Sequence, residues 1–222
     1  MKQYLPLLQR CPLLSGIPPQ ELMHLLTCLG GQVVFQACGS SILHQGDPAH
    51  CFGLLLSGQA QIIRGDTGGS HTVIAAVDET ELFAEAYASA ALEHLPVNVV
   101  AVTDCLVLLL DHRRVISSCS RHCSAHFKLI AALLNAVSHK NIQLNQKLEI
   151  VMQRTTRDKL LAFLRTQQQR TGQKHFQIPF DRQALADYLG VDRSAMSTEL
   201  GKLKSEGVID FQRSTFKMLQ GE

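Results

Sequence analysis

No apolar stretch of the sequence reaches the roughly 18 residues that a membrane-spanning helix needs. The best candidate, Val97 to Leu110, is interrupted by Asn98, Thr103 and Asp104, which excludes a span. The opening Met1-Lys2-Gln3-Tyr4 has no apolar signal core followed by a small-residue cleavage site, so a cytoplasmic protein without a membrane partner is expected. Cysteine pairs are not evident either. Seven cysteines, an odd number in a chain of this size, read as reduced thiols and not as a disulfide framework. Also missing are a nucleophile elbow, a phosphate-binding glycine loop, a zinc-protease motif and the clustered His and carboxylate ligands of a cupin-type metal enzyme. The expectation is a protein that is not an enzyme.

What is present is ordinary globular chemistry. The chain has 222 residues, 45% hydrophobic and 18% charged, which suits one or two domains and does not suit disorder. Its net charge of +2 conceals an asymmetry: residues 154–222 carry 12 Lys/Arg against 8 Asp/Glu, and the rest 9 against 11. A basic C-terminal third on a slightly acidic body points to an anionic partner for that third.

The pattern along the chain changes twice. Ser15-Gly16-Ile17-Pro18-Pro19 leads into a short helix pattern from Gln20, with prolines where a helix start tolerates them. From Val33 to about Asp111 short apolar runs alternate with turn clusters such as Gln45-Gly46-Asp47-Pro48 and Gly65-Asp66-Thr67-Gly68-Gly69. The runs are Phe52–Leu56, Ala60–Arg64, Thr72–Val77, Val97–Val102 and Cys105–Leu110. Regular short strands of this kind predict an antiparallel sandwich or barrel, of which a jelly roll is a common form. At about Ser118 the period becomes helical. Phe127, Ile130, Leu134, Val137, Asn141, Leu144, Leu148 and Val151 then follow at spacings of 3, 4, 3, 4, 3, 4 and 3. That is a heptad seam, with one polar a-position residue, Asn141, of the kind that favours a parallel pair. It predicts a homodimer; the alternative is a helix buried on its own barrel. The helix is expected to end near Gln153, with Thr155-Thr156 as cap and hinge and Gln167–Lys174 as a polar loop.

The stretch 181–207 holds two helix patterns joined by a tight turn. Asp181 can cap Arg182–Leu189, Gly190 can end it, Val191 packs inward and Asp192 can cap a second helix running from Arg193 to about Ser205. Ala186, four residues before Gly190, is small where the two helices must cross closely. This is the spacing of a helix-turn-helix, whose second helix fits the major groove of double-stranded DNA. Two apolar runs flanking Gln212-Arg213-Ser214 add a hairpin, so the module reads as winged. On this geometry Arg193, Ser194, Ser197 and Thr198 reach base edges. Arg182, Gln183, Lys202, Lys204 and Arg213 suit phosphates. The alternative for each charge is a solvated face.

With these segments in order, the sequence resembles the cyclic-AMP receptor protein/FNR superfamily of bacterial transcription regulators over nearly its whole length. Gly39-x2-Ile42-x3-Gly46-Asp47-Pro48-Ala49 and Leu55-x-Ser57-Gly58-x-Ala60 look like that family's sensor barrel, and 181–211 like its winged helix-turn-helix. The resemblance implies an α+β chain: a cyclic-nucleotide-binding-like jelly roll over 1–117, a dimerisation helix over 118–153 and a DNA-binding domain over 154–222. It also implies a homodimer on a near-palindromic operator, and RNA polymerase as a partner. The family often has an arginine near the place of Thr198, so the operator is not carried over.

The effector is where the chain departs from the family. Phe83-Ala84-Glu85-Ala86 stands where the family has a Phe-Gly-Glu phosphate cassette, and Leu95-Pro96-Val97 where cyclic-nucleotide binders place an arginine. Burying a phosphate without its cation is expensive, so an effector other than cyclic AMP is expected, in a pocket of Phe83, Ala84, Glu85, Ala86, Pro96 and Asn98. A barrel that binds nothing is the alternative. No resident cofactor is expected. Cys11 and Cys28 do not make the tight cluster of an iron–sulfur member, and a haem would have His44, Cys51 and His71 to choose from. The densest ligand set is Cys119, Cys123 and His126, with spacing suited to a borderline metal or a thiol switch. The other reading is small cysteines filling a junction.

Overall fold

The computed structural model describes residues 2–65, 71–117 and 123–219. The chain divides into two compact units, Met1–His139 and Lys140–Glu222. The boundary falls inside the long helix, which the sequence reading set apart as a separate segment over 118–153.

The first unit opens with a short 3-10 turn (Lys2–Tyr4) and three helices, α1 (Leu5–Arg10), α2 (Pro12–Ser15) and α3 (Pro19–Cys28). Each has a proline in its first two positions, where the missing N–H costs no helical bond. Eight strands follow: β1 (Gln32–Gln36), β2 (Ser41–Leu43), β3 (Cys51–Ser57), β4 (Ala60–Gly65), β5 (His71–Val77), β6 (Leu82–Phe83), β7 (Asn98–Ala101) and β8 (Cys105–Asp111). Two short helices, α4 (Glu85–Ser89) and α5 (His112–Ile116), interrupt and end the series. The strands form two antiparallel four-stranded sheets, ordered β1-β8-β3-β6 and β2-β7-β4-β5.

β3 is apolar from Phe52 to Leu56 because that stretch is covered on both faces. Leu55 points into the space between the sheets with Ile42, Val77, Phe83, Val99 and Val107. Phe52, Leu54 and Leu56 point the other way, onto Leu14, Leu22 and Leu26 of the N-terminal helices. Gly53 lies directly under the Phe83 ring: a Cβ there would come within 2.0 Å of Phe83 Cζ.

The long helix α6 (Ser124–Val151) contributes to the first unit through Ala125, Leu129 and Leu133, which are buried in the same cluster as the N-terminal helices. The heptad seam occupies a different face. Phe127, Leu134, Leu144 and Leu148 are exposed on the single chain, with Leu134 at 65%. Val137 lies between the two faces and packs partly against the core. Cys123 is not helical, so α6 begins at Ser124; the expected start near Ser118 lies outside the described residues.

The second unit contains the C-terminal part of α6, then α7 (Thr156–Thr171), β9 (His175–Gln177), α8 (Arg182–Leu189), α9 (Arg193–Ser205), β10 (Ile209–Gln212) and β11 (Thr215–Met218). Thr155 caps α7 by accepting from Asp158 N. The expected polar loop from Gln167 is corrected here: α7 continues to Thr171, where Gly172 ends it at φ 65°. Gln and Arg are good helix formers, and Thr166 and Ala162 continue the helix without further apolar demand. The hairpin is also larger than expected. Phe176 of β9 pairs with Phe216, giving a three-stranded sheet ordered β10-β11-β9. Phe163, Leu185, Met196, Leu200 and Phe216 are fully buried at its centre.

Candidate nucleic-acid interface and effector pocket

The helix pair α8–α9 is built by its caps. Asp181 Oδ1 accepts from Ala184 N at 2.8 Å. Gly190 turns the chain at φ 61°, the left-handed conformation that glycine adopts without cost. Val191 N then donates to Ala186 O at 3.1 Å. Asp192 Oδ1 accepts from Ser194 N and Ala195 N, each at 2.9 Å, and from the Ser194 hydroxyl at 2.5 Å. That hydroxyl, then the Ala195 N–H, holds the Asp192 carboxyl below the usual carboxylate range. One face of α9, Met196, Leu200 and Leu203, is buried. Arg193, Ser194, Ser197 and Thr198 on the rest of its N-terminal half are exposed.

Two of those four are partly engaged. The Ser194 hydroxyl donates to Asp192, and the Thr198 hydroxyl donates to Ser194 O at 3.0 Å. Their oxygens therefore remain as acceptors, while Arg193 supplies the donors.

The five candidates for phosphate contact differ in their surroundings. Arg182 is half-buried, its guanidinium 4.9 Å from the Phe211 ring centroid and 5.3 Å from that of Phe216. Burial lowers its pKa from the usual arginine value. Gln183 donates to Asp187 at 2.9 Å, Lys202 faces Glu199 at 3.2 Å and Lys204 faces Asp210 at 2.7 Å. Arg213 sits exposed in the tight turn between β10 and β11 at φ 52°. Sequence reading missed Arg157. From the first turn of α7 it donates to Glu206 and, at 3.3 Å, to Glu199, tying α7 to the middle and the C-terminal end of α9. These partners lie 42 and 49 residues away, a separation no local pattern signals.

In the barrel, Phe83, Ala84 and Glu85 are buried, Pro96 and Asn98 half-buried and Ala86 exposed. Phe83 and Ala84 share one cluster with Leu95 and Val99. Ala84 stands at φ 62°, a left-handed conformation that a Cβ disfavours. Asn98 Oδ1 accepts from Gln45 N at 2.9 Å, and so serves the backbone. Leu95 and Val97 are buried apolar residues. Among the described residues the buried polar side chains are Glu85 and His126.

The metal and redox candidates are placed as follows. Cys119 lies outside the described residues. Cys123 is half-buried just before α6, and His126 is buried with Nε2 2.5 Å from Val115 O. No cluster of three His, Cys, Asp or Glu able to hold a metal occurs among the described residues. His44 faces Asp47 at 3.5 Å. Burial pushes the Cys11 thiol up to about 11 and also raises Cys51 and Cys105, which suppresses their reactive thiolate form. No helix among the described residues is long and apolar enough to cross a membrane.

Two family profiles match the chain: the cyclic nucleotide-binding domain over residues 33–122 and the Crp-like helix-turn-helix domain over 158–220. No curated protein matches it. Among solved structures, DNR from Pseudomonas aeruginosa is 22% identical, with 99% of this chain and 95% of that chain covered and a TM-score of 0.52. The c-di-GMP-responsive regulator CLP of Xanthomonas campestris is 16% identical, with 92% and 100% covered and a TM-score of 0.57. The catabolite activator protein of Thermus thermophilus is 25% identical over 93% of each chain, with a TM-score of 0.46.

Proposed function

Since this chain belongs to the cyclic-AMP receptor protein/FNR superfamily of bacterial transcription regulators, we propose that it works in the cytoplasm as a homodimer on a near-palindromic operator, gated by an effector other than cyclic AMP. The observation that carries the reading is the capped helix α9, buried on one face and presenting Arg193, Ser194, Ser197 and Thr198 on the other. A second copy joins through the exposed Phe127, Ile130, Leu134, Leu144 and Leu148 face of α6, with Val137, Asn141 and Val151 completing the seam. Arg193 donates to a guanine edge. Arg213, Gln183 and the lysines position the protein on phosphates.

The effector binds beside Ala84 and Glu85. The apolar Leu95-Pro96-Val97 segment offers no counter-charge for a phosphate, and the Glu85 carboxylate suits a hydroxyl or amine group. Binding shifts the population between two arrangements of the α6 seam and so re-aims the two recognition helices. No residue here is assigned a catalytic role.

The test is selection of preferred duplexes from random DNA, followed by anisotropy titrations. Half-sites about one helical turn apart are expected, with affinity falling steeply as salt rises. Arg193→Gln should relax preference at one base pair per half-site by about 1–3 kcal/mol; Arg213→Gln should weaken all sequences alike. A protein that enriches no sequence above random would overturn the proposal.

A further inference from the structure

We propose that Phe211 is a positioning residue for the nucleic-acid interface: its ring holds the Arg182 guanidinium as a preset fork for one phosphate of the DNA backbone. The inference rests on the reading of α8 and α9 as a DNA-binding pair, and adds to it a residue that acts through another.

Arg182 is the first residue of α8. Its guanidinium lies over the Phe211 and Phe216 rings, whose centroids are 5.6 Å apart and tilted by 30°. The two rings are held differently. Phe216 is fully buried in the core of the unit, whereas Phe211, on β10, is half-buried at its edge. Lys204, near the end of α9, fixes Phe211 in place. Its ammonium is 5.2 Å from the ring centroid, donates to Phe211 O at 3.4 Å and pairs with Asp210 at 2.7 Å. Ring and backbone of Phe211 are thus tied to α9, and Arg182 of α8 rests on that ring.

Two observations point to an anion on Arg182. First, among the described residues its guanidinium has neither a hydrogen-bond acceptor nor a carboxylate partner, while Lys202 and Lys204 each face an acid. It is half-buried all the same, so part of its hydration is lost and nothing in the chain replaces it. Second, stacking engages only the faces of a guanidinium. Its N–H groups lie in the plane and stay available, in the fork geometry that matches a phosphate. A free arginine loses rotamer freedom when it grips a phosphate; one already packed on a ring loses less.

The experiment is anisotropy titration of the preferred duplex at several salt concentrations. Arg182→Gln is expected to weaken binding about tenfold and to lower the slope of log affinity against log salt by about 0.9. Phe211→Leu should weaken it about three- to tenfold. Phe211→Tyr, which keeps the ring, should bind as the wild type does. Arg182→Lys keeps the charge without the planar stack; it leaves the core intact and should lose as much as Phe211→Leu. The deciding quantity is the double-mutant cycle: in the Arg182→Gln background, Phe211→Leu should change affinity by less than about twofold. An equal loss in both backgrounds means that Phe211 acts through wing packing, and the proposal fails. It fails too if Arg182→Gln leaves the salt slope unaltered. Either result leaves the DNA-binding reading standing, whereas a wild-type protein that binds no duplex overturns both.

Discussion

Leu133 and Leu134 are adjacent in sequence and opposite in consequence. Leu133 is 6% exposed and packed into the first unit, whereas Leu134 is 65% exposed on the single chain. If α6 pairs with a second copy through its heptad face, Leu134→Ala removes apolar surface that only the dimer buries. Fully burying a leucine is worth about 2 kcal/mol, so 65% exposure corresponds to about 1.3 kcal/mol per chain and about 2.6 kcal/mol for both. That is a roughly 80-fold weaker dimer. Alanine is at least as good a helix former as leucine, so the melting temperature extrapolated to the monomer should not fall. Leu133→Ala should behave in reverse, costing about 2–5 kcal/mol of unit stability with the dimerisation constant nearly untouched. Sedimentation equilibrium over a concentration series measures the first quantity, and denaturant unfolding the second. A Leu134→Ala protein that dimerises as before but unfolds more easily would refute the argument, because the side chain would then be packing within its own chain.

Two other outcomes follow from the structure. Ala84→Gly should stabilise the barrel by about 0.5 to 1 kcal/mol, because a Cβ in the left-handed region costs more than the extra freedom of an unfolded glycine; a lower unfolding midpoint would contradict it. Glu206 and Asp210 lie below the usual carboxylate range because Arg157 and Lys204 bond them, as does Asp192 through its capping bonds. Their contribution is therefore complete above about pH 4, the unfolded value, and is lost as pH falls through their depressed values. Melting curves of the wild type and Arg157→Met should differ at pH 7 and converge as the pH drops toward 3. A difference that persists unchanged at low pH would show that Arg157 acts through packing and not through Glu206.

Local chemistry made much of the fold legible. The Asp181, Gly190 and Asp192 caps marked both helices of the pair, because a cap is a contact between residues two or three apart. The strands with apolar runs were likewise visible to within a residue or two. What escaped depended on distant partners. β9 has three residues and one buried side chain, Phe176, and exists because β11 pairs with it. The C-terminal turn of α7 carries polar residues whose helical state is set by the helix preceding them. At the site, the exposure of Arg193 and its neighbours followed from helix geometry, but Arg182 over two phenylalanine rings and Arg157 across to α9 did not. The barrel candidates were readable mainly by what they lack, and neither Ala84 in its strained conformation nor Gly53 beneath Phe83 has a sequence pattern of its own.

The carboxylate of Asp192 has a kinetic meaning as well as a structural one. It occupies backbone donors at the tip of the recognition helix and sets a negative charge against the positive end of the helix dipole. The tip therefore pulls less on phosphate than an uncapped helix N-terminus would. On the proposed reading, contacts with random duplex would rest on a few side chains alone, break readily and keep residence on wrong sites short. If α9 enters DNA as proposed, lingering is reserved for sequences whose base edges answer Arg193, and the same cap that holds the helix also shortens the search.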